Sequence, residues 1–286
     1  MKQNHDCYAL IMAGGVGKRF RPLSTNKKPK QFIKITDNNY TLLQQTFSRL
    51  SGLFHPKKVW VATNHRYIPL VLKQLPSLQK RQIFGETHKK NTAPCLAWAS
   101  YQIFRKDKKA IVVALPADHF ILPTRLFQKT IQKGLELAQK RNTMVTIGIK
   151  PTHPSTQYGY IHRAGGGKVR QFVEKPDMKT ARRYVKEGNY FWNGGIFIFP
   201  VAKMLEWIDE FLPKMSQLLK KKRSLKSFFK AAESISIDYG VMEKAKGILV
   251  LKAPFKWSDV GTWENLKHLA QEHSLKLPPE VRQYLK

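Results

Sequence analysis

Short runs of apolar and β-branched residues alternate along this chain with longer stretches in which apolar positions recur every three or four residues. The first pattern is that of a buried strand, the second that of an amphipathic helix. The runs predict strands near Tyr8–Ala13, Lys58–Ala62, Ala110–Leu115 and Met144–Ile149, with others at Tyr160–His162, Val169–Val173, Ile196–Phe199 and Gly247–Leu251. Between them, Thr41-Leu42-Leu43-Gln44 has capping-box spacing and opens a helix with Leu42, Leu43, Phe47 and Leu50 on one face. Asn91-Thr92-Ala93-Pro94 places an N-cap before a first-turn proline and predicts a helix through Phe104. Arg125–Arg141 and Lys179–Glu187 read as two more, and Pro213 should interrupt a long one between Ala202 and Lys222. This rhythm predicts an α/β fold: a Rossmann-like, doubly wound sheet, mixed but mostly parallel, with helices on both faces. After about Lys150 the texture changes, because Gly165-Gly166-Gly167 reads as a hairpin turn and several strands follow in succession. No sequence repeat relates the two parts.

Composition narrows the class. The chain has 286 residues, 42% of them hydrophobic, which suits one compact domain over 1–286. No apolar run reaches the length of a membrane span, and the polar start MKQNHD lacks a signal-peptide pattern, so a cytoplasmic protein without membrane insertion is expected. Cys7 and Cys95 read as small buried hydrophobes, and the nine histidines show no metal-ligand spacing. Charge is the unusual feature: 51 Lys and Arg against 19 Asp and Glu give +32. The basic residues are spread along the chain without an arm or a nucleic-acid-binding signature, and the densest run, Lys220-Lys221-Lys222-Arg223, falls where a solvated helix end is expected. Nucleic-acid binding is therefore expected only as non-specific electrostatics, beside anionic small-molecule substrates.

The first strand ends in Ala13-Gly14-Gly15-Val16-Gly17-Lys18-Arg19. A glycine-rich turn there lets backbone N–H groups approach phosphate oxygens. It is not a phosphate loop of the ATPase kind, whose first glycine would fall on Met12, nor a dinucleotide loop, whose last glycine would fall on Phe20. With the continuation Arg19-Phe20-Arg21-Pro22-Leu23-Ser24 and Pro29-Lys30-Gln31-Phe32, the segment resembles the GGxGxRLxPLSxxxxPKQF signature of nucleoside-diphosphate-sugar pyrophosphorylases, specifically the mannose-1-phosphate guanylyltransferases. The resemblance continues in family order through Asn91-Thr92-Ala93-Pro94, Pro116-Ala117-Asp118-His119, Phe172-Val173-Glu174-Lys175-Pro176, Trp192-Asn193-Gly194-Gly195-Ile196 and Trp257-Ser258-Asp259-Val260-Gly261-Thr262-Trp263.

The resemblance implies the nucleotide-diphospho-sugar transferase fold, with a nucleotide-binding half over about 1–150, a sugar-phosphate-binding half over 151–263 and a short helical tail over 264–286. It implies GTP and mannose 1-phosphate as substrates, with Mg²⁺ held by Asp118 and Asp259. Two carboxylates plus phosphate oxygens are a usual magnesium environment. Ala13, Gly14, Gly15, Gly17, Lys18, Arg19, Lys30, Asn91 and Asp118 would bind the nucleotide. Tyr158, Gly159, Glu174, Lys175, Asn193 and Gly194 would bind the sugar phosphate. Arg19, Lys30, Lys175, Asp118 and Asp259 would carry catalysis, by alignment and charge neutralisation for attack of the sugar phosphate on the α-phosphorus. Phe191, Trp192, Trp257 and Trp263 are assigned to the core. Lys18, Arg21 and Lys90 depart from the family's usual residues at the rim of the nucleotide site. No residues remain for a β-helix or cupin extension, so the catalytic unit alone is expected, and a homodimer is compatible with it. Two other readings stay open: transfer from dTTP or UTP to glucose 1-phosphate, and a catalytically silent basic protein that binds nucleic acid.

Overall fold

The computed structural model describes residues 7–36, 39–221 and 224–285. Lys222 and Arg223 of the basic run, and the first six residues, lie outside them. The described chain is one α/β body. Its nine-stranded sheet contains β1 (Cys7–Ala13), β2 (Val59–Asn64), β3 (Ile83–Glu86), β4 (Ile111–Pro116), β6 (Val145–Ile149), β7 (Tyr160–Arg163), β8 (Val169–Val173), β9 (Tyr190–Pro200) and β10 (Leu249–Lys252). The order is β10-β6-β9-β4-β1-β2-β3, with β7 added to β9 and β8 to β7. Pairs β10/β6, β4/β1, β1/β2 and β2/β3 are parallel, whereas β9 runs against β4, β6 and β7. A small antiparallel pair, β5 (Phe120–Leu122) with β11 (Lys256–Ser258), lies apart from this sheet.

Alternation along β1 shows how the sheet is covered. Tyr8 and Leu10 enter one core together with Leu96, Trp207 and Phe228, from α3 (Thr92–Phe104), α6 (Val201–Phe211) and α8 (Leu225–Ala231). Ala9, Ile11 and Ala13 enter the other with Leu43, Val71 and Phe127, from α1 (Leu42–Leu50), α2 (Ile68–Gln74) and α4 (Thr124–Arg141). Period-2 side-chain alternation thus builds two helix layers around one sheet. A third core gathers Phe20, Ile33, Leu42 and Val260 with Leu266 and Val281, so the terminal helices α9 (Trp263–Glu272) and α10 (Pro279–Arg282) pack beneath the glycine-loop continuation.

The capping box at Thr41 forms, and Asn91 caps α3 as its spacing predicts. Pro213 separates α6 from α7 (Pro213–Lys220), and α5 (Met178–Glu187) follows the Asp177 cap. The Gly165–Gly167 turn joins the antiparallel strands β7 and β8. Two expectations change. The strand expected at Ile196–Phe199 is the second half of an 11-residue β9, so Trp192-Asn193-Gly194-Gly195 lies inside a strand. A register shift against β6 accommodates the glycine pair, with Gly195 at φ 65°. Cys95 is buried as expected, while Cys7 is only half-buried.

The chain runs outward from β1 through β2 to β3, then returns to place β4 on the other side of β1. That reversal makes the carboxyl ends of β1 and β4 the switch point where doubly wound sheets hold ligands. The glycine loop follows β1 and Asp118 follows β4.

Candidate active site

At the switch point the Pro29-Lys30-Gln31-Phe32 segment shapes the glycine loop. The Gln31 side-chain amide donates to the carbonyls of Ala13 and Gly15, both at 2.8 Å, and the Ser24 hydroxyl donates to that of Gly17 at 2.6 Å. With these acceptors tied inward, the loop's N–H edge is the one left to meet an anion. Gly17 has φ 63°, and a Cβ there would lie 2.7 Å from Lys30 Cβ, so this position demands glycine on both counts. Lys18 and Arg19 form an exposed turn at the loop's end.

Lys30 is buried, and its ammonium meets Asp118 Oδ2 at 2.7 Å, the Asp259 carbonyl at 2.8 Å and the Val260 carbonyl at 3.1 Å. An ammonium has three hydrogens, and all three have acceptors. Lys30 thus ties Asp118, two residues past β4, to the turn after β11. Burial is the largest single influence and would raise the Asp118 carboxyl, but the charge and hydrogen bond of Lys30, with smaller contributions from the other neighbouring groups, together hold it below the ordinary carboxylate range. Asp259 Oδ1 accepts from the Tyr158 hydroxyl at 2.9 Å and from Gly261 N–H at 3.0 Å. Burial and the Asp259 charge raise the Tyr158 phenol, so it stays a donor. Val260, a β-branched residue, is held at φ 46° by this arrangement, a strained conformation of the kind concentrated at functional sites.

His119 accounts for the end of the Pro-Ala-Asp-His motif. Its Nδ1 accepts from Trp257 Nε1 at 3.1 Å and its carbonyl accepts from the buried Arg49 at 2.9 Å. Burial drives its pKa down to about 4, although the Asp118 and Asp259 charges both act on the ring to raise it. His119 is a neutral strut joining β5 to β11. Among the described residues no three His, Cys, Asp or Glu side chains converge as a metal cage. The Asp118 carboxylate, paired with Lys30, and the Asp259 carboxylate, whose backbone carbonyl Lys30 holds, suit a hard cation that completes its shell with water and phosphate oxygen.

Beside the loop lies a cavity of about 250 Å³ lined by Met12, Gly14, Gly15, Asn91, Thr92 and Pro116, among others. Its notable polar group is Glu86, the last residue of β3, which sequence reading did not single out. Glu86 is buried, with Oε2 3.4 Å from where a Gly14 Cβ would stand. Burial lifts its carboxyl up to about 7, partly offset by a hydrogen bond with Cys95. Asn91 stands at the rim with φ 66° and its side chain on Thr92 N–H at 2.9 Å.

A second cluster forms where β7, β8 and β9 meet. Gly159 is closely approached: a Cβ there would lie 2.5 Å from Glu174 Oε2. Glu174 Oε1 pairs with Lys175 Nζ at 3.1 Å, and Lys175 is exposed and held at φ 45°. Asn193 is engaged within the protein, donating from Nδ2 to Asp238 Oδ1 at 2.9 Å and accepting from Gly195 N–H at 3.1 Å. Gly194 is buried inside β9. Asp238, also missed by sequence reading, opens a single π-helical turn over Asp238–Met242, and desolvation together with the Glu174 charge pushes its carboxyl up to about 7. Thr92 Oγ1 accepts from Ile237 N–H at 2.8 Å, tying the Asp238 turn to the start of α3 at the loop-side cavity.

Of the residues expected in the site, Asp118, Asp259, Lys30 and Tyr158 form one connected group. Ala13, Gly14, Gly15, Gly17 and Asn91 belong to the loop and its cavity, and Gly159, Glu174, Lys175 and Asn193 to the second cluster. Trp192 and Trp257 are not simply core: with Tyr158, His153 and His268 they line a cavity of about 500 Å³.

The sequence profile of the family described as Nucleotidyl transferase matches residues 8–274. The Escherichia coli protein named mannose-1-phosphate guanylyltransferase is 34% identical over 290 residues, covering 93% of this chain and 62% of that protein. The xanthan biosynthesis protein XanB of Xanthomonas campestris pv. campestris (strain B100) is 34% identical, with 93% and 60% covered. The chain thus spans about three fifths of the length of these curated relatives. Among solved structures, one from Thermus thermophilus named mannose-1-phosphate geranyltransferase superposes with a TM-score of 0.86 at 32% identity, covering 92% of this chain and 79% of that one. A Bacillus anthracis structure named as a glucose-1-phosphate thymidylyltransferase shares the fold at a TM-score of 0.63 and 14% identity.

Proposed function

Because the chain belongs to the nucleotidyl transferase family, we propose that it transfers GMP from GTP to mannose 1-phosphate in the cytoplasm, giving GDP-mannose and pyrophosphate. The observation that carries the choice of base is Glu86 in the loop-side cavity. A carboxylate offers two acceptor oxygens and no donor. Guanine alone among the common bases presents two adjacent donors on one edge, N1–H and N2–H. Uracil and thymine offer one N–H between two carbonyls, and adenine sets an acceptor beside its amine. Each of those would leave a buried polar group unpaired, which is how a built site rejects a wrong ligand.

The remaining groups divide the work. The N–H edge of the glycine loop and the exposed Arg19 receive the triphosphate. Lys30 adds positive charge from below while keeping Asp118 ionised and the Val260 turn in place. Asp118 and Asp259 are the residues that would hold Mg²⁺, which when bound neutralises phosphate charge. Tyr158 and the Gly261 N–H hold Oδ1 of Asp259, and Oδ2 is the oxygen that would meet the metal. Lys175 draws in the sugar phosphate, while Glu174 and Asp238 supply acceptors for sugar hydroxyls and Asn193 sets the position of Asp238. The residues over about 1–150 serve the nucleotide, and those over 151–263 the sugar phosphate together with Asp259 for the metal and Tyr158 to orient it. The attacking phosphate is already anionic, so no general base is needed, and alignment with charge neutralisation carries the in-line displacement.

Pyrophosphate release from the purified protein tests this, with each common nucleoside triphosphate paired with mannose 1-phosphate or glucose 1-phosphate and an EDTA control. Release with GTP and mannose 1-phosphate only is expected. Release with dTTP or UTP and glucose 1-phosphate would replace the substrates, and silence with every pair would overturn the reading.

A further inference from the structure

Away from the switch point, on the side of the sheet edged by β10, a cavity of about 410 Å³ is ringed by Lys129, Lys133, Arg163 and Lys252 over an apolar floor that includes Val250 and Leu126. The four cations come from three elements. Lys129 and Lys133 are one helical turn apart on α4, Arg163 ends β7 and Lys252 ends β10. Among the described residues no acidic one lines the cavity. None of the four is in an ion pair among the described residues, although ion pairs form elsewhere on the protein; the Lys252 ammonium lies 5.3 Å from the Phe191 ring, and Lys129, Lys133 and Arg163 carry the site's charge first. Lys129 and Lys133 repel each other at that spacing, and adding two cations from other strands compounds the cost. Arg163 supplies a second sign: its Nε is buried with no hydrogen-bond partner among the described residues, an unmet donor at the cavity wall. Even in so basic a chain three other cavities among the described residues differ, since two at the catalytic face carry Glu86 or Glu264 and Glu272, and one between α3 and α6 carries Glu206 and Asp209.

We propose that this cavity is a second anion site that takes a small phosphorylated molecule of two or more negative charges, seated on the apolar floor with its phosphate oxygens between Arg163 and the three lysines. Arginine suits such a centre because its planar fork meets two phosphate oxygens at once, while the lysines act as point charges around it. The size admits a molecule of nucleotide scale and excludes neither a mononucleotide nor a phosphosugar, and charge is the common requirement.

Calorimetric titration with inorganic pyrophosphate at physiological ionic strength reads the site directly. Wild type should show two classes of binding. The variant K129A/K133A/K252A should weaken one class by about tenfold or more, leaving the other unchanged, and its turnover should show that the fold is intact. A control variant, K57A/K80A/K108A, removes the same charge from exposed positions elsewhere and should keep both classes. Arg19→Ala should weaken only the class at the catalytic face, so failure of the second site and failure of the proposed activity are told apart. One class in wild type would overturn the proposal, as would survival of both in K129A/K133A/K252A or equal loss in the control. Displacement of the second class by a single-stranded oligonucleotide at lower concentration than by pyrophosphate would overturn it in favour of a nucleic-acid surface.

Discussion

Glu86 and Asp118 are carboxylates at the carboxyl-end face of the same sheet, one closing β3 and the other just past β4, yet their proton affinities are driven apart. Burial acts on both. Asp118 has an ammonium at 2.7 Å and is held ionised below the ordinary range. Glu86 has no such ion pair among the described residues, only the hydrogen bond with Cys95, and rises to about 7. Neighbours rather than residue type thus separate a permanent anion, suited to a metal and phosphate, from a group whose charge is completed by the ligand it reads. The contrast predicts different failures when each is neutralised.

The largest effect is expected at the permanent anion. Asp118→Asn should lower kcat by at least about 10³-fold, because it removes charge from where phosphate charge must be neutralised. The melting transition should survive, since Lys30 keeps the Asp259 and Val260 carbonyls. Steady-state kinetics and a thermal scan of the same sample check it, and wild-type kcat would remove Asp118 from the site. Glu86→Gln should cost less and fall elsewhere. An amide keeps one acceptor oxygen and sets its NH₂ donors against the other of guanine's two donors, so kcat/KM for GTP should fall about 10²-fold while discrimination against UTP narrows. An unchanged GTP to UTP ratio would show that Glu86 does not read the base.

How each carboxylate was to be found differs in the same way. Asp118 is legible because it follows an unbroken apolar strand and sits in a motif, and the glycine loop is legible because only glycine tolerates the Gly17 backbone against Lys30. Glu86 closes a four-residue strand whose run, Ile83-Phe84-Gly85, is too short to announce itself. Asp238 opens a π-helical turn that has no periodic signature. Scarcity was the available signal: with 19 acids against 51 bases, an acid that follows an apolar segment, as in Ile-Phe-Gly-Glu and Ile-Ser-Ile-Asp, stands out. The Trp192–Gly195 segment lies inside β9 rather than ahead of a strand at Ile196–Phe199, because its paired glycines, which elsewhere often mark turns, here absorb a register shift. The doubly wound order could be read as a class from the βα rhythm, but the antiparallel insertion of β9 between β4 and β6 depends on long-range pairing that no local pattern carries.

A smaller effect is expected in the second cluster. Lys175→Ala should raise KM for mannose 1-phosphate about tenfold with little change in KM for GTP. The lysine is exposed, whereas its partner Glu174 is only 11% exposed, so part of the effect is the cost of leaving that carboxylate without its ammonium. Equal rises in both constants would mean that Lys175 supports the site as a whole rather than the sugar phosphate.

The finest test titrates the contrast itself. Guanine's two donors require ionised Glu86, so KM for GTP should rise about tenfold per pH unit as pH falls below 7, and Glu86→Gln should flatten this dependence. Asp118, ionised throughout that range, contributes nothing to it. The same group has the opposite sign in stability. Its folded pKa lies above its unfolded value, so the folded state holds the proton more tightly, and the stability it contributes is complete below about 4.5 and lost as pH rises through about 7. Asp238 adds a loss of the same sign, from 3.8 to about 7, so the free protein should melt at a lower temperature at pH 8 than at pH 5 as far as these two groups decide it. Glu86→Gln should remove its share of that slope and Asp238→Asn the rest, while saturating GTP should lift the pH 8 melt in wild type more than in Glu86→Gln. A GTP-induced shift that is the same in both proteins at pH 8 would separate the buried carboxylate from base recognition and leave it a structural acid.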